Sequence, residues 1–336
     1  MENTQPHTEH YSSLLLRISD TYAAGRSKAL AAINTALLET YWQIGRHIIE
    51  FEQGGQTKSE YGTALLNRLS QDLTLQHGKG FSRSNVVYMR LFYQKYPIGE
   101  KPSHQLSWSH YVELIKIDHD LERKFYEKQS MLENWSVPEL KRQKKTALFL
   151  RLAASQDKEG ILKLAEKGQI VEKPSDLLRD PYILEFLKMP NPYRLSEKKL
   201  EKRLLDNLQS FLLELGKGFT FVGRQYRITL NNEHYRVDLV FYHRILRCFV
   251  LIDLKTGKVQ HNDIGQMNMY LGYFANEENE ESDNPPIGIV FTREKDDLLV
   301  KYATYGMNSQ LFVSKYQLYL PNEAELRARL ELALNK

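Results

Sequence analysis

Asp238, Asp253 and Lys255 are the residues of this chain whose types and spacing could do chemistry. Two apolar runs, "HYRVDLVFYH" and "RCFVLIDLK", each carry one carboxylate, and the second ends in a lysine. A strand built for burial does not ordinarily hold a carboxylate at its centre. If the two runs form a hairpin turning tightly at Ile245 and Leu246, Asp238 falls opposite Asp253. Cross-strand partners of this kind lie about 4.5–5.5 Å apart at Cα with both side chains on one face. Lys255, two residues past Asp253, shares that face. Adjacent carboxylates repel unless a cation sits between them, and a hard divalent ion such as Mg²⁺ prefers carboxylate oxygen. A lysine beside such an ion can orient or help deprotonate an attacking water, or balance charge on a phosphate. The constellation suits phosphodiester hydrolysis.

Further residues converge on it. A two-residue turn at Asn231 and Asn232 in the preceding hairpin places Gln225 opposite Asp238. Gln266 and Tyr270, at i and i+4, share one face of the helix expected at "DIGQMNMYLGYFA". His234, His243 and His261 lack zinc or HNH spacing and are read as structural or surface groups.

The elements that must position these residues fall in the second half. "SEKKLEKRLLDNLQSFLLELG" reads as one helix, with Ser196 in front, Gly216 behind and an apolar stripe at Leu200, Leu204, Leu208, Phe211 and Leu215. Strand runs follow at "FTFVGRQYRITL" and the two already named. Then come the Gln266 helix, an acidic loop at 277–284, the strand "IGIVFT", two more strand-like runs at "LLVKYATY" and "LFVSKYQLYLP", and a helix from Asn322. The alternation predicts a mixed β-sheet flanked by helices, within an α+β/α/β two-domain chain.

The first half reads helical. "ALAAINTALLETYWQIGRHIIEFE", "GTALLNRLSQDLTLQHG", "SHYVELIKI" and "DLERKFYEKQSMLE" have helical periodicity. "WSVPELKRQKKTALFLRLAAS" opens on a Ser136–Glu139 capping box and is expected to run to about Ser155. The segment "LLNRLSQDLTLQHGKGFSRSNVVYMRLFYQKY" has a helix-turn-helix cadence, with Ser82 or Ser84 as N-cap of the second helix. Arg83, Ser84, Asn85 and Arg90 are the candidate nucleic-acid contacts there. An ordinary helical hairpin is the competing reading. "KRQKK" at 141–145 is either a phosphate-tracking face or a solvated one. The expected organisation is a helical domain over 1–155, a proline-punctuated connecting region over 156–195, and the sheet domain over 196–336.

Composition limits the alternatives. The chain has 336 residues, 42% of them hydrophobic, and a net charge of +4, which permits nucleic-acid binding without demanding it. A single cysteine, Cys248, excludes a disulfide framework and points to a reducing, cytoplasmic setting. There is no signal-peptide pattern, and no apolar run is long enough to span a membrane.

Asp238, fourteen intervening residues, then Asp253-Leu254-Lys255 resembles the D…(D/E)-x-K core of the PD-(D/E)XK nuclease superfamily. Gln266 to Tyr270 resembles the Q-x-x-x-Y motif of its RecB-like branch. The stretches "GFSRSNVVYMRLFY", "LSWSHYVELI", "NWSVPEL", "FLLELGKGFTFVGRQY" and "DLVFYH" resemble the YhcG-type family over nearly the full length. Val237, where the wider pattern has proline, and Asp253, where glutamate is the alternative, are departures that leave both acids and the lysine in place. The resemblance implies a helical N-terminal domain and a restriction-endonuclease-like C-terminal domain. It implies a Mg²⁺-dependent nuclease (Mn²⁺ as substitute), with Asp238 and Asp253 as metal ligands. It adds Glu201, on the first helix of the core, to the catalytic set of Asp238, Asp253, Lys255, Gln266 and Tyr270. Gln266 and Tyr270 would orient the Lys255 region or contact the nucleic-acid backbone, where Gln225 is also placed. DNA, a second copy of the chain and other defence-system proteins are the partners in view, in genome defence or DNA processing. Two rivals stand: a binding or recruiting module with an inactive nuclease fold, and an RNA-directed nuclease.

Overall fold

The structure is a computed structural model that describes residues 6–54, 61–97, 103, 105–154, 156–179, 181–189 and 196–335. Ser155, Pro190 and Pro192 lie outside the described residues. The chain divides into two compact units, Met1–Lys141 and Arg142–Lys336.

The first unit is helical: α1 (Pro6–Gly54), α2 (Tyr61–His77), α3 (Arg83–Lys95), α4 (Trp108–Leu114) and α5 (Asp120–Glu133), with α6 (Val137–Lys145) running across the boundary. The helix expected over 29–52 is the later part of α1. Gly45 is required there, because a Cβ would come within 2.1 Å of the Met89 carbonyl oxygen, so only glycine lets α1 cross α3 this closely. Ser82 is the N-cap of α3 and accepts from the Asn85 N–H. The core gathers Leu38, Ile48, Val86, Met89, Phe92 and Tyr111.

The second unit opens with the end of α6, then α7 (Leu148–Ala153) and α8 (Lys158–Lys167). The single helix expected to Ser155 is broken at Ala147, which sits at φ +52°. The buried Glu214 explains the break. It meets Arg151 at 2.8 Å, Arg142 at 3.2 Å and Arg179 at 4.0 Å, and accepts from the Ile183 N–H at 2.8 Å. At about 100° per residue, Arg142 and Arg151 would project from opposite sides of one straight helix. The left-handed residue between them lets both reach one carboxylate. Burial works against that charge, but Arg151, Arg179 and Arg142 outweigh it and hold the Glu214 carboxyl below its ordinary range. This network ties 142–153 to the second unit, and the compact units part at Lys141/Arg142. The expected connecting region also takes part in that unit. It contributes α8 and strand β1 (Tyr182–Ile183), which pairs with the last strand.

The remaining strands are β2 (Phe219–Leu230), β3 (Glu233–His243), β4 (Cys248–Leu254), β5 (Ile287–Thr292) and β6 (Gln310–Gln317). They form a six-stranded mixed sheet in the order β1-β6-β5-β4-β3-β2. β2–β3–β4 is an antiparallel meander, and β4–β5–β6–β1 is parallel. The helices of this half are α9 (Glu197–Asp206), α10 (Leu208–Leu215), α11 (His261–Tyr273), α12 (Asp297–Ala303) and α13 (Glu323–Leu334). One apolar core sets Leu200, Leu204, Phe211 and Leu215 against Leu239, Ile252 and Leu254. The other sets Ile264, Met267, Tyr270 and Leu271 against Val240, Leu251 and Val290.

Two expectations fail here. The helix expected over 196–216 is two, α9 and α10, because the Asn207 side-chain amide takes the Arg203 carbonyl that a continuous helix would give to a backbone N–H. "LLVKYATY" is not a strand but α12. Asp296 caps the Leu298 and Leu299 N–H groups, and Leu299, Val300 and Ala303 pack on the second core at helical spacing.

Candidate active site

β4 is a central strand, covered on both faces, so Asp253 is forced into the interior and is 4% exposed. The β3–β4 ladder has the register expected from sequence, from His243↔Cys248 to Leu239↔Ile252. The turn itself is longer, spanning 244–247, with Arg247 at φ +50°. The ladder ends one residue short of the two aspartates. There the Asp238 side chain replaces the backbone partner, and its Oδ2 accepts from the Leu254 N–H at 2.8 Å.

The β2–β3 register brackets Gln225 between Arg224↔Leu239 and Tyr226↔Val237, level with Asp238. Gln225 lies at φ +48°, an unfavourable conformation for a residue with a Cβ. Its amide donates to Glu201 Oε2 at 2.8 Å and to Asp238 Oδ1 at 2.9 Å. Gln225 thus bridges two carboxylates delivered by α9 and β3. Burial, then the nearby Asp238 charge, raises the Glu201 carboxyl above its ordinary range.

Lys255 Nζ lies 2.9 Å from Asp253 Oδ2 and 3.6 Å from Asp263 Oδ1. The Asp253 contact is ionic but off the hydrogen-bond direction, which leaves that buried oxygen without a well-directed donor. Burial is the largest influence on Asp253 and pushes its carboxyl up to about 7, with Asp238 adding to the rise and Lys255 opposing it. Burial works against the Lys255 ammonium, yet Asp253 chiefly, then Glu197 and Asp263, holds it above the ordinary lysine range.

On α11, the Gln266 amide donates to the Tyr270 hydroxyl, which donates to the Arg236 carbonyl at 3.0 Å. Tyr270 is fully buried. The pair therefore tethers β3 two residues before Asp238, and Tyr270 also lies within electrostatic reach of Asp253, Asp238 and Lys255. Sequence reasoning missed Asp263 and Glu197. Asp263 had a readable signal, since it caps the start of α11 by accepting from the Gln260 N–H at 2.8 Å. Glu197 is a first-turn residue of α9 with no such mark in the sequence.

The described residues hold no group of three or more His, Cys, Asp or Glu drawn together as a metal cage. The donor chemistry nonetheless fits a hard divalent cation. Mg²⁺ is commonly held by one or two carboxylates plus water, and Asp253 offers a buried oxygen lacking a directed donor beside Asp238. His243 is structural: it accepts from the Leu246 N–H on Nδ1 and sits against the Lys217 carbonyl through Nε2.

The candidate nucleic-acid contacts of the helical unit are mostly engaged within it. Arg90 is ion-paired with Glu52 at 2.8 Å, Asn85 accepts from the Trp108 indole at 2.8 Å, and Arg83 donates to Asn67 at 2.7 Å. Ser84 is exposed and lines an open pocket of about 400 Å³ with Ser82, Tyr88, Trp108 and Lys141. The "KRQKK" run is not one solvated face, because Gln143 is buried and Arg142 is bound to Glu214 and Glu185.

Residues 175–331 match the family described as the YhcG PDDEXK nuclease domain, and residues 17–151 match the DUF1016 N-terminal domain. A relative from Escherichia coli K12, named "Putative nuclease YhcG", is 37% identical over 340 residues, covering 91% of this chain and 90% of that one. The chain belongs to the YhcG family. The mixed sheet flanked by helices falls within the residues matched to the PDDEXK nuclease domain, and the helical N-terminal region within those matched to the DUF1016 N-terminal domain. Among solved structures, a repair endonuclease from Pyrococcus abyssi matches with 19% identity and a TM-score of 0.28, over 38% of this chain and 49% of that one. An EndoMS–double-stranded DNA complex matches with 15% identity and a TM-score of 0.27, over 38% of this chain and 46% of that one. Likeness at those scores adds nothing to the assignment. Among the described residues, no helix is long and apolar enough to cross a membrane.

Proposed function

We propose that the chain is a divalent-metal-dependent nuclease that hydrolyses phosphodiester bonds of DNA. The observation that carries this reading is the convergence of Glu201, Gln225, Asp238, Asp253 and Lys255 where β3 and β4 part. Asp238 and Asp253 would hold the cation, Mg²⁺ or its substitute Mn²⁺. Once bound, that ion supplies positive charge against a phosphate oxygen. Gln225 fixes the rotamers of Asp238 and Glu201, so the site is organised before substrate arrives. Lys255 donates toward the attacking water or the developing phosphate charge, with Asp253 and Asp263 setting where its ammonium points. Tyr270 and Gln266 act through the β3 backbone. The setting proposed for this activity is genome defence or DNA processing.

The test is cleavage of linear, circular, single-stranded and branched DNA, with RNA in parallel, each with and without Mg²⁺. Metal-dependent DNA cleavage that Asp253→Asn abolishes is expected. Binding without cleavage under any metal would leave an inactive nuclease fold, and cleavage of RNA alone would move the substrate.

A further inference from the structure

Helix α1 carries two apolar faces on opposite sides, and the chain covers one. Toward its C-terminal end, Leu38, Gly45, Ile48 and Ile49 are buried, while Asn34 and Trp42 donate to the Leu106 and Tyr96 carbonyls. On the far side lie Tyr11, Leu15, Ile18, Tyr22, Gly25, Ala29, Ala32 and Ala36, all exposed. Their spacing alternates strictly between four and three, the heptad seam of a coiled coil. Leu14 and Ile33, also exposed, flank it. Every residue from Tyr11 to Leu30 is exposed, although Tyr11, Leu15, Ile18 and Tyr22 are large and apolar. A lone helix of this kind is marginal in water, and a contiguous apolar stripe marks an interaction surface.

The seam is graded. Its first half is large (Tyr11, Leu15, Ile18, Tyr22) and its second half small (Gly25, Ala29, Ala32, Ala36). We infer that α1 pairs antiparallel with α1 of a second copy. Antiparallel alignment sets Tyr11 level with Ala36, Leu15 with Ala32, Ile18 with Ala29 and Tyr22 with Gly25, in both directions. Each layer then holds one large and one small side chain, which keeps the axes at an even separation of about 8–10 Å. A parallel pair would stack large on large and small on small. Such an antiparallel contact is two-fold and isologous, the commonest closed assembly. The seam spans about 26 residues, or roughly 40 Å of helix. This inference is independent of the hydrolytic chemistry proposed above.

The experiment uses the full chain. Sedimentation velocity at about 10–100 μM should give twice the chain mass of 39.4 kDa. Leu15→Asp with Ile18→Asp should give the monomer mass at those concentrations. Melting of the folded units should be unchanged, because both positions are exposed within one chain, while the unpaired start of α1 should lose part of its helical circular dichroism. Direction is read by oxidation. Ile18→Cys with Ala29→Cys should cross-link into a covalent dimer, whereas either change by itself should not. The native Cys248 is buried and serves as the background. A monomeric wild type, a dimer that survives the double Asp change, a larger assembly, or cross-linking by Ile18→Cys without its partner substitution would each overturn the proposal.

Discussion

Replacing Lys255 by alanine separates the active-site reading from that of an ordinary strand-end lysine, because the two differ in activity and in the pH dependence of stability. Lys255 is the cation that opposes burial at Asp253, whose carboxyl is already raised to about 7. An opposite charge at this range holds a carboxyl down by about 1–3 pH units, so the variant's Asp253 should titrate higher still. A raised folded-state pKa costs a carboxyl stability only above its unfolded pKa, and the cost grows as pH rises toward the folded value. The difference between variant and wild type should therefore be negligible near pH 5. Taking the middle of the range, it is about 0.5 kcal/mol at pH 7 and about 2 kcal/mol at pH 9. For a unit of this size, the pH 9 value corresponds to a drop in melting temperature of about 4–8 °C. In single-turnover cleavage the loss should be about 10²–10³-fold, with DNA and metal binding retained. Lys255→Arg should rescue poorly, since a planar guanidinium does not replace a compact ammonium. The assay is paired: cleavage rate and melting temperature across pH 5–9. A pH-independent change within about 0.5 kcal/mol, together with unchanged cleavage, would refute the reasoning.

Asp238→Asn with Asp253→Asn should abolish the rise in melting temperature that Mg²⁺ or Mn²⁺ gives the wild type, and equal metal affinities by calorimetry would count against the assignment. Glu214→Gln should cost about 3–5 kcal/mol in denaturant unfolding at pH 7, because it strands buried arginines. The Glu214 folded pKa lies below its unfolded value, so its contribution is present above the unfolded pKa and lost as pH falls through the folded one. The wild-type advantage should accordingly shrink in acid. Arg83→Glu should weaken DNA binding and lower its salt slope if the start of α3 touches phosphate. Arg90→Glu should act mainly by breaking the Glu52 pair, which melting temperature would reveal.

Local pattern was enough for β2 to β6 and most helices of both halves. The apolar alternation and the turns at Asn231–Asn232 and before Cys248 determined the β2–β3–β4 register, and with it the meeting of Gln225, Asp238, Asp253 and Lys255. The i, i+4 spacing of Gln266 and Tyr270 was equally legible, because a helix repeats over a few residues whatever surrounds it. What contacts those side chains make is not local. The Tyr270 hydroxyl is spent on the Arg236 carbonyl, and Asp263 shares the Lys255 ammonium, because the fold brings together segments that periodicity treats separately. The same limit explains the misread boundaries. α6 and α7 part at Ala147 because Glu214, distant in sequence, draws two arginines to one point. α12 is a helix because Asp296 caps it and its apolar residues find a core face at helical spacing. Sequence by itself determined which residues could do the chemistry and which strands carry them. Only the tertiary structure decided their charge states and hydrogen-bond partners, since both depend on burial and on neighbours supplied by other elements.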